Sequence, residues 1–442
     1  MNGLKCQYGV CAWSGCCVTM VAGIFRVIFI VYYYTSVFDK IERMDISKRM
    51  KKLPISSIRK LIPLSDKAKS RGIKIYHLNM GQPDVKTPDV MIESLKHWTQ
   101  NPISYAPSGG TPEYLQALET YYHDLGFLFV NTKNTIGTIA GSEAINMALF
   151  AVCDPGDELL VFEPFYSSYQ TSAQLWNIKL TPVETSLQDG FHLPPGAIIE
   201  SAITEKTKAI LYSNPGNPTG TVYTKEEILM LVDIVKKHNL FLLSDEVYRE
   251  YTFVDRPHVS LLKFMQEIPE QAILIDSLSK RYNLCGARLG NLISLNEQVL
   301  SGSLKFAMSR LSGGIIDQYI GSKLVDVPAE YTKSMQAEYQ NRRDVMFEGL
   351  QSIDGISVTK PEGAFYIMAE LPVEDAEIFS IWLLESFHDK NETVMLAPGY
   401  GFYSDPKKGK KQVRIAYVLE ESQLRRSIEI LDTALHEYKK IQ

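Results

Sequence analysis

From about Thr138 the chain alternates short apolar runs with longer segments whose apolar residues recur every three or four positions. The short runs predict strands at Glu158–Phe162, Ala209–Tyr212, Leu240–Ser244, Ala272–Ile275 and Leu289–Ser294. The longer segments predict helices in GSEAINMALFAVC (141–153) and over Lys225–His238. Strands separated by helices of ten or more residues imply an α/β layer with a mixed, mostly parallel sheet. Upstream, Pro88 to Trp98 reads as a helix, and Thr111-Pro112-Glu113 opens another with threonine at the cap and proline in the first turn. Near Asp326-Val327-Pro328 the rhythm changes. A long charged helix, Ala329 to Leu350, precedes mixed elements and a terminal helix over Glu421–Tyr438. This pattern divides the chain into a large domain over 91–325 and a smaller α/β domain over 326–442, the latter completed by residues 44–90.

The N-terminus does not follow this rhythm. Val18 to Tyr34 reads VTMVAGIFRVIFIVYYY, with Arg26 its one charge, and a basic flank follows. Residues 1–43 therefore form an atypical hydrophobic extension, with three readings open. Residues 18–34 could be a membrane anchor, although the run is near the minimum spanning length and a central arginine is costly there. The stretch could be another kind of appended segment. It could also be a dispensable extension upstream of a start at Met44. Four of the six cysteines, Cys6, Cys11, Cys16 and Cys17, fall in this extension, without a metal-ligand spacing. The remaining two, Cys153 and Cys285, make no disulfide framework, and their scarcity suits a reducing, cytoplasmic setting. The chain has 442 residues with 46 Lys and Arg against 51 Asp and Glu, a net charge of −5. That balance argues against a nucleic-acid partner.

The candidate chemistry clusters at the carboxyl ends of the predicted strands, where open α/β sheets bind ligands. Lys280 follows the strand that ends at Ser277, within DSLSKRYNLCGARLG (276–290). A lysine there can form a Schiff base with an aldehyde cofactor such as pyridoxal 5'-phosphate, given a deprotonated amine. Ser277, Ser279 and Arg288 are candidates to hold the phosphate, arginine through its planar fork. Gly141, Ser142 and Glu143, at a helix start, would add backbone N–H donors. Asp245, opening DEVY, could pair with a protonated pyridine nitrogen, and Tyr248 could donate to the ring's phenolate oxygen. Asn217, fixed in the turn-rich NPGNPTG, could serve the same oxygen. Tyr166 in EPFYSSY could stack on the ring, with Phe165 and Tyr169 as competitors. Arg414 in VRIAY could clamp a substrate carboxylate.

Taken together, NMGQPD (79–84), YAPSGG (105–110), AGSEA (140–144), EPFYSSY (163–169), NPGNPTG (214–220), DEVY (245–248), SLSKRYNLCGARLG (277–290), PEGAFY (361–366) and VRIAY (413–417) resemble one family in order. The chain is similar, from about Ser57 to Lys439, to the class I/II aminotransferases of fold type I, within the aspartate aminotransferase superfamily. The resemblance implies pyridoxal phosphate bound through Lys280, with Asp245, Tyr248 and Lys280 as the catalytic set. It implies that Tyr105 reaches the phosphate of a partner subunit, hence a homodimer with shared sites. It also places Gly81 in a segment closing over substrate and gives Arg414 the α-carboxylate.

The implied reaction is a ping-pong exchange between an amino acid and a 2-oxo acid, with L-aspartate and 2-oxoglutarate as the first expectation. Alanine, aromatic or broader specificity, a carbon–sulfur lyase, and a non-enzymatic regulator on the same scaffold remain alternatives. Some aspartate-specific members place a lysine where this chain has Ser142, so the reader of the substrate side chain is not evident. No metal is implied.

Overall fold

The computed structural model describes residues 45–53 and 56–441, so the expectations for residues 18–34 lie outside the described residues. The chain divides into two compact units at Lys52/Leu53. In the first, a short helix spans Lys48–Lys52, and Lys51 pairs with Asp45. Among the described residues no helix is long and apolar enough to cross a membrane.

The second unit carries the described strands: β1 Lys74–His77, β2 Thr135–Ile139, β3 Glu158–Glu163, β4 Lys179–Glu184, β5 Thr207–Ser213, β6 Phe241–Asp245, β7 Ala272–Ser277, β8 Leu289–Ser294, β9 Ser357–Val358, β10 Tyr366–Glu370, β11 Glu392–Met395, β12 Ala397–Pro398 and β13 Gln412–Ala416. Seven form a sheet in the order β2-β8-β7-β6-β5-β3-β4. β4, β3, β5, β6 and β7 pair in parallel, while β8 runs antiparallel to both β7 and β2. The sheet is thus mixed and mostly parallel, as the alternation predicted. A smaller α/β region holds the sheet β12-β13-β10-β9 and the parallel pair β1-β11.

The central strands are continuous apolar runs because both faces are covered. Ile210, Leu242 and Leu274 face one buried cluster; Leu211, Leu243, Ile273 and Ile275, one position along, face another. The helix Lys225–His238 has the predicted bounds. Thr224 and Glu227 form a reciprocal capping box, and Asn239 closes the helix at φ 53°. Its Ile228, Leu231, Val232 and Val235 are buried against the sheet. Thr111 caps the helix Pro112–Asp124 by accepting from the Tyr114 N–H. The expected single helix over Pro88–Trp98 is instead an α-helical turn, Asp89–Glu93, passing into a 3-10 turn, Ser94–His97. The Ser94 hydroxyl donates to the Met91 carbonyl at 2.6 Å, a local bond that competes with regular helix.

β4 escapes the apolar-run criterion. It lies at the sheet edge, paired only to β3, and Val183 alone of its six residues is buried. The smaller region packs its own core, including Ile367, Ala369, Val413 and Ile415 of β10 and β13 and Leu424, Ile430 and Leu431 of the terminal helix Glu421–Tyr438.

Candidate active site

The carboxyl ends of β2, β3, β5, β6 and β7 open into a cavity of about 480 Å³. It is lined by Gly141, Ser142, Tyr166, Asn217, Asp245, Tyr248, Ser277, Ser279, Lys280, Arg288, Gly81 and Arg414, twelve of the residues expected from sequence. Chain order explains the convergence. Each parallel strand delivers its last residue to the same edge, and the turn beyond it carries the functional group.

Asp245 is the last residue of β6 and is 3% exposed. Its Oδ2 accepts from the Tyr169 hydroxyl at 2.7 Å, while Oδ1 is buried without a partner. Burial raises its carboxyl to about 6, against the opposing bond from Tyr169. An unpaired anionic oxygen in such a place is costly unless a cationic donor meets it. A protonated ring nitrogen is such a donor.

Lys280 sits in the one-turn helix Leu278–Arg281 directly after β7. Its Nζ donates to the Gly81 carbonyl at 2.7 Å and lies 3.6 Å from Cys285 Sγ. Behind it, Asp276 is fully buried and fixes the start of this segment. Its Oδ1 accepts from the Ser277 N–H, and its Oδ2 accepts from Tyr122 and from Arg281 at 2.6 Å. Gly290 gives the room that this packing requires. A Cβ there would lie 2.7 Å from the Ala140 carbonyl carbon and 2.8 Å from the Asp276 oxygen.

Anion-binding groups gather at one end of the cavity. The Ser277 and Ser279 hydroxyls are 2.9 Å apart, Ser277 also reaching the Leu289 carbonyl at 2.7 Å. Arg288, at φ 53°, is exposed and donates to the Cys285 carbonyl at 3.0 Å. The helix Ala140–Val152 begins here without a side-chain cap, and Gly141 and Ser142 of its first turn line the cavity, where uncapped N–H groups favour an anion. Hydroxyls, a guanidinium and helix N–H groups are the donor set a phosphate monoester fits.

Glu143 and Tyr105 are placed differently from these. The Glu143 carboxylate turns back, accepting from the Ile139 N–H at 2.6 Å and pairing with Arg310 at 2.6 Å, and Glu143 is not among the lining residues. Tyr105 is 79% exposed and also lies outside the lining. Tyr166 lines the cavity and meets Tyr169 edge-on at 5.6 Å.

Arg414 also lines the cavity and is 2% exposed. Its Nη1 donates to Asn217 Oδ1 at 3.0 Å and its Nη2 to the Asn79 carbonyl at 2.7 Å, leaving Nε unpartnered. The guanidinium lies over Tyr366 at 4.3 Å and Phe402 at 4.9 Å. Because arginine only donates, Asn217 must turn its oxygen to it, which leaves the amide N–H groups for a ligand. The Tyr248 and Tyr366 hydroxyls are 3.0 Å apart, and burial holds Tyr248 well above the usual phenol range. Tyr366 and Asn79 are contributors to which the sequence assigned no role. Tyr169 had been a candidate for stacking, whereas it holds Asp245. Among the described residues, no group of three or more His, Cys, Asp or Glu could hold a metal ion.

The family model for aminotransferase class I and II matches residues 73–431. The chain is 28% identical to an aspartate aminotransferase of Bacillus subtilis over 407 residues, covering 90% of this chain and 98% of that one. It is 31% identical to a probable N-acetyl-LL-diaminopimelate aminotransferase of the same organism, covering 88% and 95%. An alanine aminotransferase structure from Pyrococcus furiosus superposes with a TM-score of 0.79 at 26% identity, over 89% of this chain and all of that one.

Proposed function

Since the chain belongs to the class I and II aminotransferases, we propose that it exchanges the amino group of L-aspartate with 2-oxoglutarate, using pyridoxal 5'-phosphate. The family implies the cofactor; the aspartate reading leans on the relatives named for that substrate. The observation that carries the cofactor's place is the buried, unpartnered Oδ1 of Asp245 in the same cavity as the Lys280 amine.

In this reading Lys280 would hold the cofactor through Nζ, Asp245 would pair with its ring nitrogen, and Tyr248 and Asn217 would donate to its ring oxygen. Ser277, Ser279, Arg288 and the N–H groups of Gly141 and Ser142 hold its phosphate, and Tyr166 covers the ring. When bound, pyridoxal phosphate supplies the electron sink that makes the α-proton of an amino acid removable. Arg414 orients the donor by its α-carboxylate, which fits the free Nε edge of the guanidinium. Lys280 Nζ, once free, takes the donor's α-proton as general base and later returns it as general acid. Asp245 stays ionised and holds a proton on the group opposite. The 2-oxo acid product leaves before the acceptor enters, so the kinetics are ping-pong.

Residues 326–442, with residues 44–90, are assigned to the part that closes over substrate, bringing Gly81 and Arg414 inward and excluding water. A second copy of the chain completes the site, and the exposed Tyr105 supports this, since it has no role within its own cavity. Single half-reactions of the holoenzyme with aspartate, glutamate, alanine and aromatic donors test the reading. Aspartate and glutamate react fastest if it holds. A clear preference for alanine or aromatic donors overturns it.

A further inference from the structure

Four cationic side chains line the cavity among the described residues: Arg59, Lys280, Arg288 and Arg414. Asp245 is the one carboxylate among them. Three of the cations have tasks in the proposed reaction, with the cofactor, its phosphate and the α-carboxylate. Arg59 has none, and its guanidinium has no hydrogen bond or ion pair with any described residue. Its neighbour Lys60 shows the usual alternative, an ion pair with Glu377 at 2.5 Å.

We infer that Arg59 reads the distal carboxylate of a dicarboxylic amino acid or 2-oxo acid. This rests on the transaminase reading above and names the side-chain reader that Ser142 does not supply.

The backbone under Arg59 is held in place. The Ser56 carbonyl accepts from the N–H groups of both Arg59 and Lys60, at 3.0 and 2.9 Å. Ser57 is 3% exposed against Gly401, and Ile58 packs on Ala397, Phe402 and Tyr403. Asn79 then ties this turn to the other substrate arginine. Its Nδ2 donates to the Ile58 carbonyl at 3.1 Å, while its own carbonyl accepts from Arg414 Nη2. One asparagine thus bonds both the turn that carries Arg59 and the Arg414 guanidinium, with Arg414 buried and Arg59 exposed on the cavity lining.

The chemistry follows from this frame. A dicarboxylate presents two anionic ends, and a planar guanidinium can meet each with paired, charge-assisted bonds. A monocarboxylic donor such as alanine offers the second arginine nothing, so Arg59 contributes to selectivity rather than to the reaction itself. Both substrates of the proposed exchange, aspartate and 2-oxoglutarate, carry the second carboxylate. One reader therefore serves both halves of the cycle.

The test compares holoenzyme with Arg59→Gln and Arg59→Lys. The first readout is the ratio of kcat/KM for aspartate over alanine in single half-reactions. The second is calorimetric binding of maleate, a dicarboxylate that cannot react. We expect Arg59→Gln to lower the ratio and to weaken maleate by about tenfold or more, with partial recovery in Arg59→Lys. If the natural enzyme uses dicarboxylates and Arg59→Gln moves neither readout, the assignment to Arg59 fails while the aspartate reading stands. If the natural enzyme favours alanine and binds no maleate, both fail.

Discussion

Asn217 Oδ1 accepts from Arg414 Nη1 at 3.0 Å, which joins the loop after β5 of the large sheet to β13 of the small one. The bond fixes the amide's orientation and the arginine's plane together. Replacing Asn217 with alanine leaves a buried guanidinium one acceptor short. Steady-state kinetics should show KM rising roughly tenfold for aspartate and alanine alike, because the α-carboxylate is common to both. A loss confined to aspartate would contradict this placing of Arg414.

Lys280→Ala should remove the absorbance of the lysine-bound cofactor and lower multiple-turnover transamination by about 10³-fold or more. Spectra of the purified variant with added cofactor, beside a coupled assay, check both. Retention of full activity would remove Lys280 from the mechanism.

Asp245 predicts an opposition between stability and function. Its folded carboxyl, at about 6, lies above the unfolded value of 3.8, so burial penalises the charged form. That penalty is absent below about pH 4, grows as pH rises, and is complete above about pH 6, where it amounts to ~3 kcal/mol. Asp245→Asn should therefore stabilise the cofactor-free protein at pH 8 and change it little at pH 4, while abolishing turnover. Urea unfolding of both apoproteins at the two pH values measures the gap.

His192 tests a different part of the fold with the opposite sign. It bonds Glu227 at 3.0 Å and approaches Glu362 at 3.5 Å, and these hydrogen bonds raise its imidazole to about 9. A folded value above the unfolded 6.5 gives stability that is full below pH 6.5 and lost as pH rises through 9. His192→Ala should cost ~1 kcal/mol at pH 6 and close to nothing at pH 10, read from thermal unfolding across that range.

Gly81→Ala should disturb the site without touching a charge. A Cβ at Gly81 would occupy the space of the Tyr366 hydroxyl, which pairs with Tyr248, while the Gly81 carbonyl holds Lys280. The expected outcome is a fall in kcat with the melting temperature moved by only a few degrees, seen by kinetics and calorimetry. Unchanged kcat would mean that this segment is not part of the reacting geometry.

Legibility in the sequence followed burial and repetition. Helices Lys225–His238 and Glu421–Tyr438 and strand β8 have the bounds their periodicity predicted, because each buries one regular face or lies in the sheet interior. The edge strand β4 was silent because most of its positions are not buried. Within the site, residues bound to turn motifs were readable, since glycine and proline mark where a side chain is held. Tyr169 bonds a partner 76 residues away, and Asn79 bonds one 335 residues away, relations that no local pattern carries. Arg59 lies in a turn with no motif, and only the cavity around it gives it meaning.

The antiparallel strand β8 has a consequence for synthesis. β2 pairs along its whole length with β8, about 150 residues later, and the helix that offers Gly141 and Ser142 starts where β2 ends. Lys280 and Arg288 lie in the hairpin that brings β8 back against β7. As the chain leaves the ribosome, β3, β5 and β6 can pair in turn, but β2 waits for a neighbour until residue 294 has emerged. Closing the sheet and joining the two halves of the proposed phosphate cradle are therefore a single late event. A nascent chain stopped short of β8 would hold most of its sheet and lack the completed cavity proposed for its cofactor.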